Sequence, residues 1–190
     1  MRKFQYRKAV QTLNLLAHWN GGIMNKMQAL KLIWLSDRLH LRKYGRPILQ
    51  DYYVAMDNGP VPSQTRDILQ LNGMGVGNDV LDYSKAFIEP SQYEYKSLSN
   101  PNEKVFSKSD IEALKLIYDT YGKFDKYTVR DISHEFPEWK KWEDGLKAKK
   151  FRSHEMYYED FFMDAGGNHQ IFIDDVKSLE LVKQLYLRKC

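Results

Sequence analysis

Cysteine is almost absent: one occurs among 190 residues, and it is the last, Cys190. A lone terminal thiol excludes an internal disulfide framework and any zinc site built on cysteine, and it fits a reducing cytoplasm. Long apolar runs are missing as well. The first residues, MRKFQYRKAVQTLNLLAHW, are charged early and contain no small-residue cleavage site, so neither a signal peptide nor a membrane span is expected. No Gly-x-Ser-x-Gly elbow, phosphate loop or internal repeat occurs, and GMGVG at 73–77 lacks the strand–turn–helix setting of a dinucleotide fingerprint. Charge of one sign is lacking too. Lys and Arg number 29 against 25 Asp and Glu, a net +4 with the acids interspersed, which bears on solubility and steering more than on nucleic-acid binding.

The chain is long enough for one domain with a real core, and its 13 tyrosines imply many half-buried rings. A first helix is expected over about Lys3 to His18, with Tyr6, Val10, Leu13, Leu16 and Ala17 on one face. Gly21-Gly22 ends it. Asn25 with Gln28 is a capping pair for a second helix, Lys26 to about Lys43, apolar over most of its circumference and therefore central. Gly45 and Pro47 stop that helix. A strand follows over Tyr52 to Met56. Gly59-Pro60-Val61-Pro62 then enforces an extended connection, and Ser63 caps a helix to about Leu71. Gly73, Gly75 and Gly77 read as a loop, and Ser84 to Glu89 with Gln92 to Leu98 as a hairpin around Pro90-Ser91. Beyond Asn100-Pro101-Asn102 the expectation is helical. A capping box at Ser109 to Glu112 opens a helix to Tyr121, Thr128 and Asp131 open a short one, and Pro137 starts another turn. Ser153 to Met163 and Asp174 to Leu187 complete the set, with Gly166-Gly167 as a break. The fold class is α+β: a mainly helical single domain with a small antiparallel sheet or hairpin.

Asp37 and His40 lie three apart on the second helix, a spacing that lets a carboxylate orient an imidazole or contribute to a metal site. One pair falls short of the three or more ligands a catalytic zinc needs, so a polar network fixing the helix is the preferred reading. His134-Glu135 and His154-Glu155 begin like zincin helices but lack the second histidine at the required spacing. No enzyme activity, metal or cofactor is expected.

Two separated blocks together resemble the Panacea domain, the antitoxin SocA-like family. The first is KLIWLSDRLHLRKYGRPILQDYYVAMDNGPVPS, Lys31 to Ser63, which carries Asp-Arg-x-His, Tyr-Gly-Arg-Pro and Gly-Pro-Val-Pro-Ser in order. The second is DISHEFPEW, Asp131 to Trp139, followed by YYEDF, Tyr157 to Phe161. Trp34 stands where the family usually has tyrosine or phenylalanine, and Ser36 where it has alanine, both compatible in size. The resemblance implies a domain over 1–165, leaving 166–190 as a helical extension packed on it. It further implies a cytoplasmic antitoxin that neutralises a cognate toxin encoded nearby by direct protein contact, within a toxin–antitoxin system and in a phage-defence setting.

The motif's polar residues Asp37, His40, Asp131 and His134 are then structural. Neutralisation calls for a few aromatic or arginine anchors inside a polar rim, and the candidates are Arg46, Tyr52, Tyr53, Tyr93, Tyr95, Tyr157 and Tyr158. The hairpin Ser84 to Leu98 and the loop Asn58 to Ser63 are the expected contact surfaces. The alternative is a winged-helix-like nucleic-acid-binding regulator with Arg42, Lys43 and Arg46 on phosphates. A metal-dependent hydrolase using Asp37, His40 and His134 ranks below it.

Overall fold

The computed structural model describes residues 3–166 and 169–188; Gly167 of the expected glycine break and the terminal Cys190 lie outside them. Helix α1 (Tyr6–Trp19) buries Ala9, Val10, Leu13, Leu16 and Ala17, the face its periodicity marks. After β1 (Ile23–Asn25) comes α2 (Lys26–Tyr44), around which the rest of the chain is arranged. Its ends are set locally. The Asn25 side chain accepts from the Met27 and Gln28 amides at 3.0 and 3.3 Å, and Gly45 takes the left-handed conformation, φ 65°, that closes the last turn. Gln28 does not complete a capping box: its amide donates to the Gly122 and Phe124 carbonyls.

The chain then forms β2 (Tyr53–Met56) and β3 (Gly59–Pro62), an antiparallel hairpin turning at Asp57-Asn58. The proline segment is thus a strand rather than a mere connection. It sits at the edge of its sheet, where a missing N–H is tolerated. A Cβ at Gly59 (φ 93°) would run into the Ser133 hydroxyl and the Lys31 amine, so this turn residue is confined to glycine.

Helices α3 (Ser63–Leu69), α4 (Gly73–Val76) and α5 (Asn78–Ser84) follow, so the glycine-rich stretch is helical rather than a loop, and Ser84 ends a helix instead of opening a strand. Ser63 is not the cap of α3. The buried Asp51 carboxylate supplies that function from outside, accepting from the Gln64 and Thr65 amides at 2.8 and 2.9 Å and from the Thr65 hydroxyl. Strands β4 (Ile88–Pro90) and β5 (Glu94–Ser97) form the expected hairpin, and β1 adds a third strand to it, in the order β1-β5-β4.

The later half is helical through α6 (Lys108–Tyr121), α7 (Lys126–His134), α8 (Pro137–Lys140) and α9 (Glu143–Lys147). The capping box on α6 is Ser107 with Asp110, two residues upstream of the expected pair, and Asp125 caps α7. Residues 153–163 are not a helix. They form β6 (Ser153–Glu155), which takes the free edge of β2 in the order β3-β2-β6, and then a 3-10 turn, Tyr158–Phe162. The last helix, α10 (Val176–Leu187), packs on α2. The architecture is α+β: mainly helices with two small antiparallel sheets, around a core in which Trp34, Phe136 and Phe161 meet edge to face. No helix among the described residues is long and apolar enough to cross a membrane.

Candidate partner-binding groove

Helix α2 carries many buried polar side chains, most of them hydrogen-bonded, with Trp34 Nε1 and Arg38 Nη1 left without an acceptor among the described residues. Asp37, 1% exposed, accepts from the Ile48 and Leu49 amides at 2.7 and 3.1 Å and from the Tyr53 hydroxyl at 3.0 Å, fixing the chain after Pro47. Burial raises its pKa to about 7, although these hydrogen bonds pull the other way. His40 lies with Nδ1 2.8 Å from the Arg46 carbonyl, while Nε2 is 3.0 Å from the Ser109 hydroxyl and 3.2 Å from the Asp110 carboxylate. Asp37 and His40 therefore serve different partners and form no acid–base pair. Among the described residues no three His, Cys, Asp or Glu gather as a metal-binding group.

Arg38 joins the two sequence blocks: its Nε donates to Glu138 at 2.6 Å with both side chains fully buried. Trp139 reinforces the joint through Nε1, which donates to the Met56 carbonyl at 2.9 Å. His134 stacks flat on Trp139, with centroids 3.8 Å apart, and its buried Nε2 makes no hydrogen bond among the described residues. Burial, then the cations Lys31 and Arg130, lower its pKa to about 4. Asp131 is exposed and, among the described residues, pairs only with its neighbour Arg130.

The expected anchors divide sharply. Tyr53 and Tyr95 are 1% and 0% exposed, so neither can meet a partner: Tyr53 holds Asp37, and the Tyr95 hydroxyl donates to the Leu13 carbonyl. Tyr158 is mostly inside, donating to the Asp51 carbonyl. Tyr52, Tyr93 and Tyr157 are exposed. Arg46 is half-open but engaged with Asp110 at 2.8 Å. The phosphate-contact set fails at its centre, because Arg42 is buried and bound to Asp174 and three carbonyls.

What remains open is a groove of about 830 Å³ beside the β2–β3 turn. One wall is the start of α2, with Lys26, Met27, Leu30 and Lys31; the turn contributes Met56, Asp57, Asn58 and Val61. Arg66 and Leu69 of α3 close one end, and Leu146, Lys149, Phe151 and Arg152 the far side. A smaller hollow of about 180 Å³, bounded by His134, Trp139 and Glu143, shares Asp57, Leu146 and Lys149 with it, so the two sequence blocks border adjoining depressions. Sequence reasoning reached this place through the loop Asn58 to Ser63; Lys149 and Arg152 of the far wall stand out in the sequence only as part of a basic run with Lys147 and Lys150.

Lys31 lies at the floor, 1% exposed, its amine donating to the Pro60 carbonyl at 2.7 Å. Burial, with Arg130 adding repulsion, brings its pKa down to about 7.

The structure is thus an α+β scaffold whose motif side chains hold the fold and which leaves an open groove at the β2–β3 turn. A family model for the antitoxin SocA-like, Panacea domain matches residues 30–140, and the chain belongs to that family. No curated protein and no solved structure matches it.

Proposed function

We propose that this protein is an antitoxin that neutralises a cognate toxin by binding and masking it, with no turnover of its own. The observation that supports this most is the division of labour within the family blocks. Asp37, Arg38 and His40 are consumed in buried hydrogen bonds, and Trp139 and His134 hold each other in a stack at the rim of the smaller hollow, while the turn between the blocks borders an accessible groove. A domain over 1–165 carrying the extension 166–190 belongs to the same reading, supported by the contact of α10 with α2. So do a cytoplasmic location and a phage-defence setting.

The test is coexpression with the adjacent gene. Growth should be rescued and the two products should copurify. Persistent toxicity with a folded, soluble partner-free protein would overturn the reading.

A further inference from the structure

The cations around the groove are not distributed like those elsewhere on the chain. Lys26, Lys31, Arg66, Lys149 and Arg152 line it against a single carboxylate, Asp57. The remaining surface mixes signs, with ion pairs such as Lys85–Asp82, Lys115–Asp119 and Lys147–Glu143. In the groove the pairing fails. Lys26 and Lys31 donate to backbone carbonyls, of Leu69 and Pro60. Arg66 has only Asp67, at 3.5 Å, and the Met56 sulfur, and its Nε is buried without an acceptor. Among the described residues Lys149 and Arg152 enter no ion pair and Arg66 only a long one, whereas Lys31, its pKa lowered by burial to about 7, adds little charge. Weakly compensated cations of this kind raise the local potential and favour an incoming anion. Between them the floor is apolar, supplied by Met27, Leu30, Met56, Val61, Leu69 and Phe151. Two methionines suit such a surface to side chains of varied shape.

Resting on the antitoxin reading, we infer that this groove receives a toxin segment in which aliphatic or aromatic residues alternate with Asp or Glu. The apolar side chains enter the floor, and the carboxylates meet Lys149 and Arg152 on one side and Lys26 and Arg66 on the other. Nucleic acid also carries negative charge, but a sugar-phosphate chain has nothing to place on an aliphatic floor, and only one ring, Phe151, is present for stacking a base. A protein segment satisfies both halves of the site. The electrostatic half makes association fast and salt-sensitive, while the apolar half holds the complex.

The experiment measures affinity and association rate for the adjacent gene's product, with the full chain and its Lys149→Glu/Arg152→Glu variant. Both positions are exposed, so melts should match wild type. Affinity should fall at least about tenfold, mainly through slower association, and neutralisation should fail. Met27→Glu, half-buried at the floor, should weaken binding similarly. Lys104→Glu/Lys108→Glu, exposed and outside the groove's lining, should bind as wild type. Wild-type affinity in both groove variants would overturn the groove assignment and leave the antitoxin reading standing. A wild-type chain that neither binds nor neutralises that product would overturn both. Displacement of the bound product by a short single-stranded RNA, lost in the double variant, would overturn the peptide assignment in favour of nucleic acid.

Discussion

Arg42 Nε donates to the Asp174 carboxylate across 2.7 Å, tying the central helix to a residue outside the matched family region. The same guanidinium donates to the carbonyls of Phe161, Met163 and Phe172 at 3.1, 2.9 and 3.1 Å. One side chain thus organises the whole return of the chain toward α10.

Arg42→Ala should accordingly destabilise the protein by about 3–5 kcal/mol, since a mostly buried carboxylate and three carbonyls lose their donor together. Asp174→Ala should cost less, because Arg42 keeps its three carbonyl acceptors. Urea melts of the two variants give the comparison. Equal losses would show that the ion pair alone carries the attachment.

Asp37 gives a pH dependence whose sign can be worked out. Burial raises its folded pKa to about 7, well above its unfolded value near 3.8. Between those values the folded state holds a proton that the unfolded state has released. Its contribution to stability is therefore fully present below about pH 4 and is lost as pH rises through about 7. Asp37→Asn keeps an acceptor oxygen and removes the titration. The stability difference between wild type and this variant should shrink, or reverse, over that interval in denaturant melts at stepped pH. A constant difference would mean that Asp37 does not titrate there.

Lys31 acts in the opposite sense at higher pH. Its folded pKa, lowered to about 7 by burial and then by Arg130, lies below its unfolded value of 10.5. In that interval the unfolded state binds the extra proton, so stability should rise with pH from about 7 toward 10. Lys31→Met should flatten that rise. An identical alkaline profile in the two proteins would contradict the burial of the amine.

Several local signals translated directly into structure, the glycine run at 73–77 and the capping box at Ser109 did not, and distant pairings left no local mark. The Asn25 cap, Gly45 and Pro137 each act on neighbouring residues, so α2 and α8 start or stop where the residues say. Strand β1 is three residues long and pairs with β5, some seventy positions away, and nothing nearby announces it. Asp51 caps α3 from beyond the proline hairpin, a role that adjacency alone assigns to Ser63. Residues 153–163 carry aromatics at spacings compatible with either helix or strand, and the free edge of β2 decided between them. The groove was least legible: its cations are scattered from Lys26 to Arg152 and meet only when the chain is folded.

Tyr93 and Tyr95 differ by two positions and would face the same side of a continuous strand. Strand β5 begins at Glu94, however, so Tyr93 falls in the turn and is 65% exposed, while Tyr95 is fully buried under α1. Tyr95→Ala should therefore cost about 3–5 kcal/mol of stability, as truncation of a buried aromatic does. Tyr93→Ala should stay within about 0.5 kcal/mol of wild type. Binding should show the reverse order. The Tyr93 carbonyl accepts from the Lys26 amide at 2.9 Å, so this residue adjoins Lys26 of the groove without itself lining it. As an anchor there it should weaken toxin affinity by about 2 kcal/mol when truncated. Calorimetry beside melts of the same variants separates the two effects. Wild-type affinity in Tyr93→Ala would remove the hairpin from the interface and leave the Lys149–Arg152 side of the groove to carry it.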